Sequence, residues 1–423
     1  MLIIDAMGIS AHVICIGNEI MLGHINNTNA QYASKNLASI GIRTSEHLSI
    51  QDDPDTIISS IRNSLRAADI VILSGGLGPT VDDITLDCIG KSLERKLLYN
   101  NKVAEHIKKH FKKRGLVMPR NNLRQALVPK GAIPILNNIG SAPGLLIPVH
   151  GKILVALPGV PFELYEMFKK NVLPYLKKRF HPDKIIKSRV IKITGLPESK
   201  VNEKLEDILK LSGNVEMGIY PHPEEITVKI TVTDKNKNKV NAIIKKIEKK
   251  IRLRLKDYIF GYDDESLEEV VGRLLTKKKK TLSVAESCTG GLLSDRITGV
   301  SGSSNYFQMA AITYSNASKN KFLAIPVEII NKHGAVSGQV ASLMAKNIRL
   351  LAKTDIGIGI SGIAGPRGGT KKKPIGLVYI SMSAKKKTIC RKFLFLGQRD
   401  IIKRKASQAA LNLLRKELCS ALS

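Results

Sequence analysis

Twice along this chain a short apolar run, the pattern of a buried strand, empties into a glycine-bearing loop that opens a helix: DIVILSGGLGPTVDD at 69–83 and TLSVAESCTGGLL at 281–293. A strand that feeds a helix through such a loop is the building unit of parallel sheets with crossover helices, so each segment demands an α/β layer around it. From His12 to about Phe168, strands at 13–17 and 69–76 alternate with helical stretches near 29–40 and 55–67. A second alternation follows Gly261. Strands near 281–285, 355–361, 375–382 and 388–395 interleave with helices near 289–298, 337–352 and 399–418.

Between the two lies a different pattern: SRVIKITG from 188, a helix near 198–210, a strand at 225–233 and a lysine-rich helix at 236–256. These read as a small α+β unit, its start marked by Pro174 and Pro182. A length of 423 residues exceeds what one core supports. The expected organisation is three domains: α/β over 1–170, a small α+β connector over 171–260, and a second α/β domain over 261–423. The first ten residues, MLIIDAMGIS, read as a short extension without the basic start or cleavage signal of a secretory peptide. No apolar run approaches the roughly 20 residues that span a bilayer. Five scattered cysteines, odd in number and without a C-x-x-C pair, point to a reducing cytoplasm rather than to disulfides or zinc.

The net charge of +31 makes the surface attractive to polyanions. Much of the excess is lysine in short runs at 277–280, 371–373 and 385–387, and tryptophan is absent. With few aromatics to stack on bases, the pattern is that of a solvated basic surface, and specific nucleic-acid binding is not expected.

In the first loop Gly75, Gly76 and Gly78, followed by Thr80, let backbone N–H groups approach an anion closely, and the helix that follows adds a favourable dipole. Asp82 and Asp83 come next. Two carboxylates there either hold a divalent metal that neutralises phosphate charge or cap the helix expected to follow.

In the second loop Ser287 and Cys288 stand where the strand turns into a helix opened by Thr289, Gly290 and Gly291. That location exposes a nucleophile beside N–H donors able to stabilise an oxyanion or bind phosphate. A serine needs a base, and the next polar cluster, TYSNASK at 313–319, offers Lys319 and Tyr314. A lysine shielded from water loses proton affinity and can take the serine proton, while Tyr314 can donate or relay a hydrogen bond. Cys288 is the rival nucleophile, since a thiolate is intrinsically more reactive than an alcohol.

Several longer motifs add a resemblance. GNEIMLGHINNTN (17–29), SGGLGPTVDDIT (74–85), PRNNLRQALVPKGA (119–132), GSAPGLLI (140–147) and LPGVPFEL (157–164) resemble the N-terminal half of CinA proteins, which is related to molybdopterin-binding folds. The resemblance implies metal-dependent cleavage of ADP-ribose to AMP and ribose 5-phosphate, in a pocket lined by Glu19, Asn27, Gly76, Asp82, Asp83, Pro158 and Glu163. AESCTGGLL, TYSN with Lys319, GAVS (334–337), SGIAGPRGGT (361–370), KPIGLVYI (373–380) and FLFLGQR (393–399) resemble the CinA C-terminal domain, the nicotinamide-nucleotide amidases. That implies hydrolysis of nicotinamide mononucleotide without a cofactor. Ser287 is then the nucleophile, Lys319 its base and Tyr314 their hydrogen-bonding partner. Ser361, Gly362 and Gly365 fall in the substrate pocket, and Arg399 on the nucleotide phosphate. Arg367 stands where relatives carry glycine, Ser361 where they carry threonine, and Met309-Ala310 where they carry two glycines. The relatives also imply a homodimer. Two alternatives stay open: a DNA-associated protein of competence and recombination, and an N-terminal domain that binds its nucleotide without cleaving it.

Overall fold

Ile70–Ser74 is buried at every position, as a strand covered on both faces must be. It lies at the centre of a six-stranded sheet ordered Arg43–Ile50, Ser10–Ile16, Ile70–Ser74, Lys152–Leu157, Gly144–Val149, Ile133–Ile135. The computed structural model describes residues 9–182 and 184–420, so most of the expected N-terminal extension lies outside the described residues, and the strand expected at 13–17 already begins at Ser10. The expected parallel sheet is realised in the first four strands. The last two run antiparallel, because the short connection at 150–151 permits a hairpin and no crossover helix.

Side chains alternate between two cores. Ile14, Val71, Leu73 and Leu154 meet Ile57, Ile61, Val103 and Ile107 of the helices Pro54–Ala67 and Asn101–Lys113. Val13, Ile70, Ile72 and Val155 meet Ala33 and Leu37 of the helix Thr28–Ser39, with Phe168 and Leu176. Pro174, expected at a domain boundary, lies instead within a continuous helical run from Pro161 to Phe180. A π-helical turn at Phe168–Val172 immediately precedes it, loosening the ladder where proline has no N–H to give.

The chain divides into two compact units, one holding residues up to Lys187 with Val232–Ala242, the other Ser188–Thr231 with Ile243 onward. The middle of the chain forms a four-stranded sheet ordered Val215–Pro221, Ile226–Asp234, Ile185–Ile193, Ile259–Tyr262, with helices Glu198–Leu209 and Lys237–Leu255. The first and last of these strands had no clear counterpart in the sequence pattern.

The C-terminal sheet is ordered Phe307–Ile312, Leu282–Glu286, Ile356–Gly362, Leu377–Ala384, Thr388–Leu394. Its first three strands are parallel and the rest antiparallel. The helix Gly338–Leu351 packs tightly on one face because Gly357 and Gly359 clear its path: a Cβ on Gly359 would stand 2.6 Å from the Ala345 nitrogen. Helices Leu267–Lys278, Leu292–Thr298 and Arg399–Ser420 contribute Leu275, Leu293, Ile402 and Leu414 to the other core. Among the described residues no helix is long and apolar enough to cross a membrane.

Candidate active site

The parallel register sets Glu286 beside Ile312, and the Thr313 N–H donates to the Glu286 carbonyl at 2.8 Å. The residues that follow, Ser287 on one strand and Thr313–Tyr314 on the other, therefore emerge together at the carboxyl edge of the sheet. After Ser287 the backbone turns through Gly290 and Gly291, both at positive φ, where a Cβ would be strained. After Tyr314 the helix Asn316–Leu323 starts from a capping box of Ser315 and Ser318, which returns Lys319 toward the strand ends. The outcome is contact: the Lys319 Nζ lies 3.0 Å from the Ser287 Oγ and donates to the carbonyls of Thr313 at 2.8 Å and Tyr314 at 3.4 Å.

Lys319 is 1% exposed and Ser287 7%. Burial pushes the Lys319 ammonium below its ordinary range, and among the described residues no acid pairs with it to reverse that. A neutral amine carries two hydrogens and one lone pair. The two carbonyls suit the hydrogens, leaving the lone pair for the serine proton. Cys288 points elsewhere, into the core beside Gly362, and burial pushes its thiol up to about 12. The thiolate is thus scarce near neutrality, and the serine is the nucleophile that has a base beside it.

Three expectations are corrected. The helix after the nucleophile begins at Leu292, and its first amides are occupied: the fully buried Glu286 carboxylate accepts from the N–H groups of Gly291, Leu293 and Ser294 and from the Ser294 hydroxyl, at 2.6–3.2 Å. Those amides are not free for an oxyanion, and this buried carboxylate beside the nucleophile went unremarked in the sequence. Tyr314 is 59% exposed and its hydroxyl accepts from Arg399 Nη2 at 2.8 Å, so only its backbone carbonyl meets the Ser287–Lys319 pair. Ser361 is buried, and its hydroxyl donates to the Ala335 carbonyl at 2.7 Å, which ties the GAVS turn to the sheet instead of facing a ligand. Thr289 is also buried, and its hydroxyl has no hydrogen-bond partner among the described residues.

Beside the nucleophile loop opens a cavity of about 840 Å³, lined by Leu292, Pro366, Ile375, Arg399, Lys403 and Arg404 among others. Arg399 donates its other arm to the Gly365 carbonyl at 2.8 Å. Gly365 and Gly362 shape the loop without lining this cavity, and Gly290 and Gly291 lie in the turn just ahead of Leu292. Arg367 is exposed and outside the lining.

In the N-terminal unit a second cavity, about 660 Å³, gathers Glu19, Gly75, Gly76, Gly78, Asp82, Asp83, Pro158 and Glu163. Asn27 and Thr80 do not line it. Asn27 accepts from the Ala30 N–H and caps the helix that follows, and Thr80 donates its N–H and hydroxyl to Asp83 at 2.8 and 2.6 Å. The helix starts only at Thr85, so neither Asp82 nor Asp83 caps it. The sequence reading missed Asp52, an acid at the end of a neighbouring strand, held by the Asn18 N–H at 2.9 Å. Burial raises the Asp52 carboxyl, the Asn18 bond opposes this, and repulsion from Glu19, Asp82 and Asp83 adds to the rise. Burial likewise raises Glu163, which accepts from Asn137 at 2.7 Å. Yet among the described residues no three His, Cys, Asp or Glu side chains are placed to hold a metal ion. The acids do not form a ready-made metal site.

Against known families, residues 12–178 match a probable molybdopterin binding domain, 188–261 the damage-inducible protein CinA KH domain, and 264–418 the CinA C-terminal domain. A competence-damage inducible protein of Caldicellulosiruptor saccharolyticus is 43% identical over 408 residues, 96% of this chain and 99% of that one. A CinA-like protein of Kosmotoga olearia is 41% identical over 96% of this chain and 98% of its own. Among solved structures, competence damage-inducible protein A of Klebsiella pneumoniae is 31% identical, covering 36% of this chain and 95% of its own, with a TM-score of 0.36.

Proposed function

Because this chain belongs to the competence-damage inducible, or CinA, family, we propose that its C-terminal domain is a serine amidase that converts nicotinamide mononucleotide to nicotinate mononucleotide and ammonia. One observation carries the reading: a buried lysine amine 3.0 Å from a serine hydroxyl, with no acid among the described residues to hold it charged. Solvated surface lysines have no use for such a position.

The chemistry needs no more than these two groups and water. Ser287 Oγ attacks the carboxamide carbon as its proton passes to Lys319 Nζ. The tetrahedral adduct collapses, the Lys319 ammonium gives its proton to the amide nitrogen, and the C–N bond breaks to release ammonia. Water then attacks the Ser287 ester, gives a proton to Lys319, and the acid product leaves as that proton returns to Ser287. The carbonyls of Thr313 and Tyr314 orient the lysine throughout. Arg399, which lines the cavity, joins Tyr314 to Gly365. Five free cysteines among the described residues support work in a reducing compartment such as the cytoplasm.

For the N-terminal pocket the companion reading is ADP-ribose cleavage. Its support is the glycine loop and five acids around one cavity. Since the acids do not assemble a metal site by themselves, a divalent cation would be held between one or two carboxylates and the ligand's own phosphates. Binding without cleavage stays the competing outcome. A dedicated nucleic-acid role has less support: the stretch 188–261 contains no Gly-x-x-Gly, the loop with which KH modules clamp a nucleic-acid backbone.

The test is to incubate the full chain with nicotinamide mononucleotide and, separately, with ADP-ribose and magnesium. Ammonia with nicotinate mononucleotide is expected from the first. Intact mononucleotide after prolonged incubation would refute the amidase reading.

A further inference from the structure

Three cations and one acid line the C-terminal cavity: Arg399, Lys403 and Arg404, with Asp400. Their commitments differ. Arg399 donates one of its five N–H groups to the Gly365 carbonyl and one to the Tyr314 hydroxyl, both neutral acceptors. Arg404 is mostly exposed and leans toward Glu224 at 3.5 Å. Lys403 is half-buried, and among the described residues it has no acid, carbonyl or ring as a partner. It stands one helical turn beyond Arg399, so both face the cavity from the same side of the helix Arg399–Ser420. Its Nζ reaches to 3.7 Å from the point where a Cβ on Gly290 would project, which sets the ammonium over the loop that carries Ser287.

An ammonium that lines a cavity and has no acid bonded to it among the described residues is available to an anionic ligand. We infer that Lys403 is the specificity-determining residue for the phosphate of the substrate, acting beside Arg399, to which family resemblance assigns that phosphate and which also bridges Tyr314 and Gly365. The inference rests on the amidase reading for the identity of the substrate, but the ammonium selects any mononucleotide over its nucleoside. Lysine suits the task as a compact charge that can swing to a phosphate without the paired geometry a guanidinium needs. The apolar lining from Leu292, Pro366 and Ile375 leaves the remainder of the ligand in a setting where that one charge counts for more.

The experiment measures equilibrium binding by calorimetry on the full chain carrying Ser287→Ala, which removes turnover, using nicotinamide mononucleotide and nicotinamide riboside as probes. Lys403→Met should weaken the mononucleotide about 10- to 100-fold, the worth of one charge-assisted contact, and leave the riboside unchanged. Lys403→Arg should retain part of the preference. A Lys403→Met protein that binds the mononucleotide as before, or that loses both probes equally, would overturn the assignment. The two failures separate cleanly. Preference for the mononucleotide that depends on Lys403, in a chain whose Ser287 form releases no ammonia, keeps Lys403 and sinks the amidase; absence of any preference sinks Lys403 whatever the ammonia assay shows.

Discussion

Lys319→Met removes the amine beside Ser287, and its consequences for activity and for folding can be read separately. Methionine fills nearly the same space, so the cavity term is small. Loss of the general base should lower kcat by about 10²–10⁴-fold, equivalent to about 3–5 kcal/mol in the barrier. Lys319→Arg should be no better, because a guanidinium does not give up its proton in this range. Stability supplies a second, independent signature. Burial sets the folded pKa of Lys319 below its ordinary 10.5. Between those two values the unfolded chain binds more protons than the folded one, so wild-type stability rises with pH, by up to about 1.4 kcal/mol per pH unit. Below the folded value the whole penalty of the buried charge is present. Above 10.5 it is gone. The Met variant lacks this slope, although it leaves the carbonyls of Thr313 and Tyr314 without a donor, a constant cost of about 1–3 kcal/mol for each that stays buried. Denaturant melts of both proteins across pH 6.5–10, read as the wild-type minus variant difference, should rise with pH, and the wild-type rate should climb over the same interval as Lys319 loses its proton. A difference that is flat or falls with pH would refute the assignment of a depressed lysine at this site.

Glu286→Ala should cost at least about 3 kcal/mol, since three helix amides lose their buried acceptor at once; calorimetric melting checks the stability, and activity per folded molecule should fall as the Ser287 turn loosens. Gly362→Ala would press a methyl to 2.7 Å from Val378 Cγ2 and 3.0 Å from Cys288 Sγ, so about 1–3 kcal/mol of overpacking strain and a reduced kcat are expected from melts and ammonia assays together. Chelation with EDTA should stop AMP formation from ADP-ribose while ammonia release from the mononucleotide continues unchanged, measured on one preparation.

The two α/β patterns were legible because apolar runs such as 70–74 and 282–286 are buried on both faces and carry no competing signal. Glycines and capping residues also placed the two loops at strand ends. The antiparallel returns at 133–149 and 377–394 were not readable, because hairpin and crossover connections differ in what the chain packs against rather than in strand composition. Local spacing likewise could not bring Lys319 to Ser287 across 32 positions; that depends on the pairing of Leu282–Glu286 with Phe307–Ile312. The roles of Tyr314, Ser361 and Arg399 were the least accessible. Each is polar and stands in a functional motif, yet which partner it satisfies is decided by neighbours far along the chain: Gly365 for Arg399, Ala335 for Ser361. Lys403 carries no motif at all, and what marks it is its place in a lined cavity without a partner among the described residues.

The most direct test compares ammonia released from nicotinamide mononucleotide by the unaltered chain, by Ser287→Ala and by Cys288→Ala, with the acyl intermediate sought by rapid quench and peptide mass. The account predicts that Ser287→Ala is inactive, that Cys288→Ala retains most of the rate, and that any trapped acyl group sits on Ser287. Activity that survives Ser287→Ala and vanishes with Cys288→Ala would contradict it.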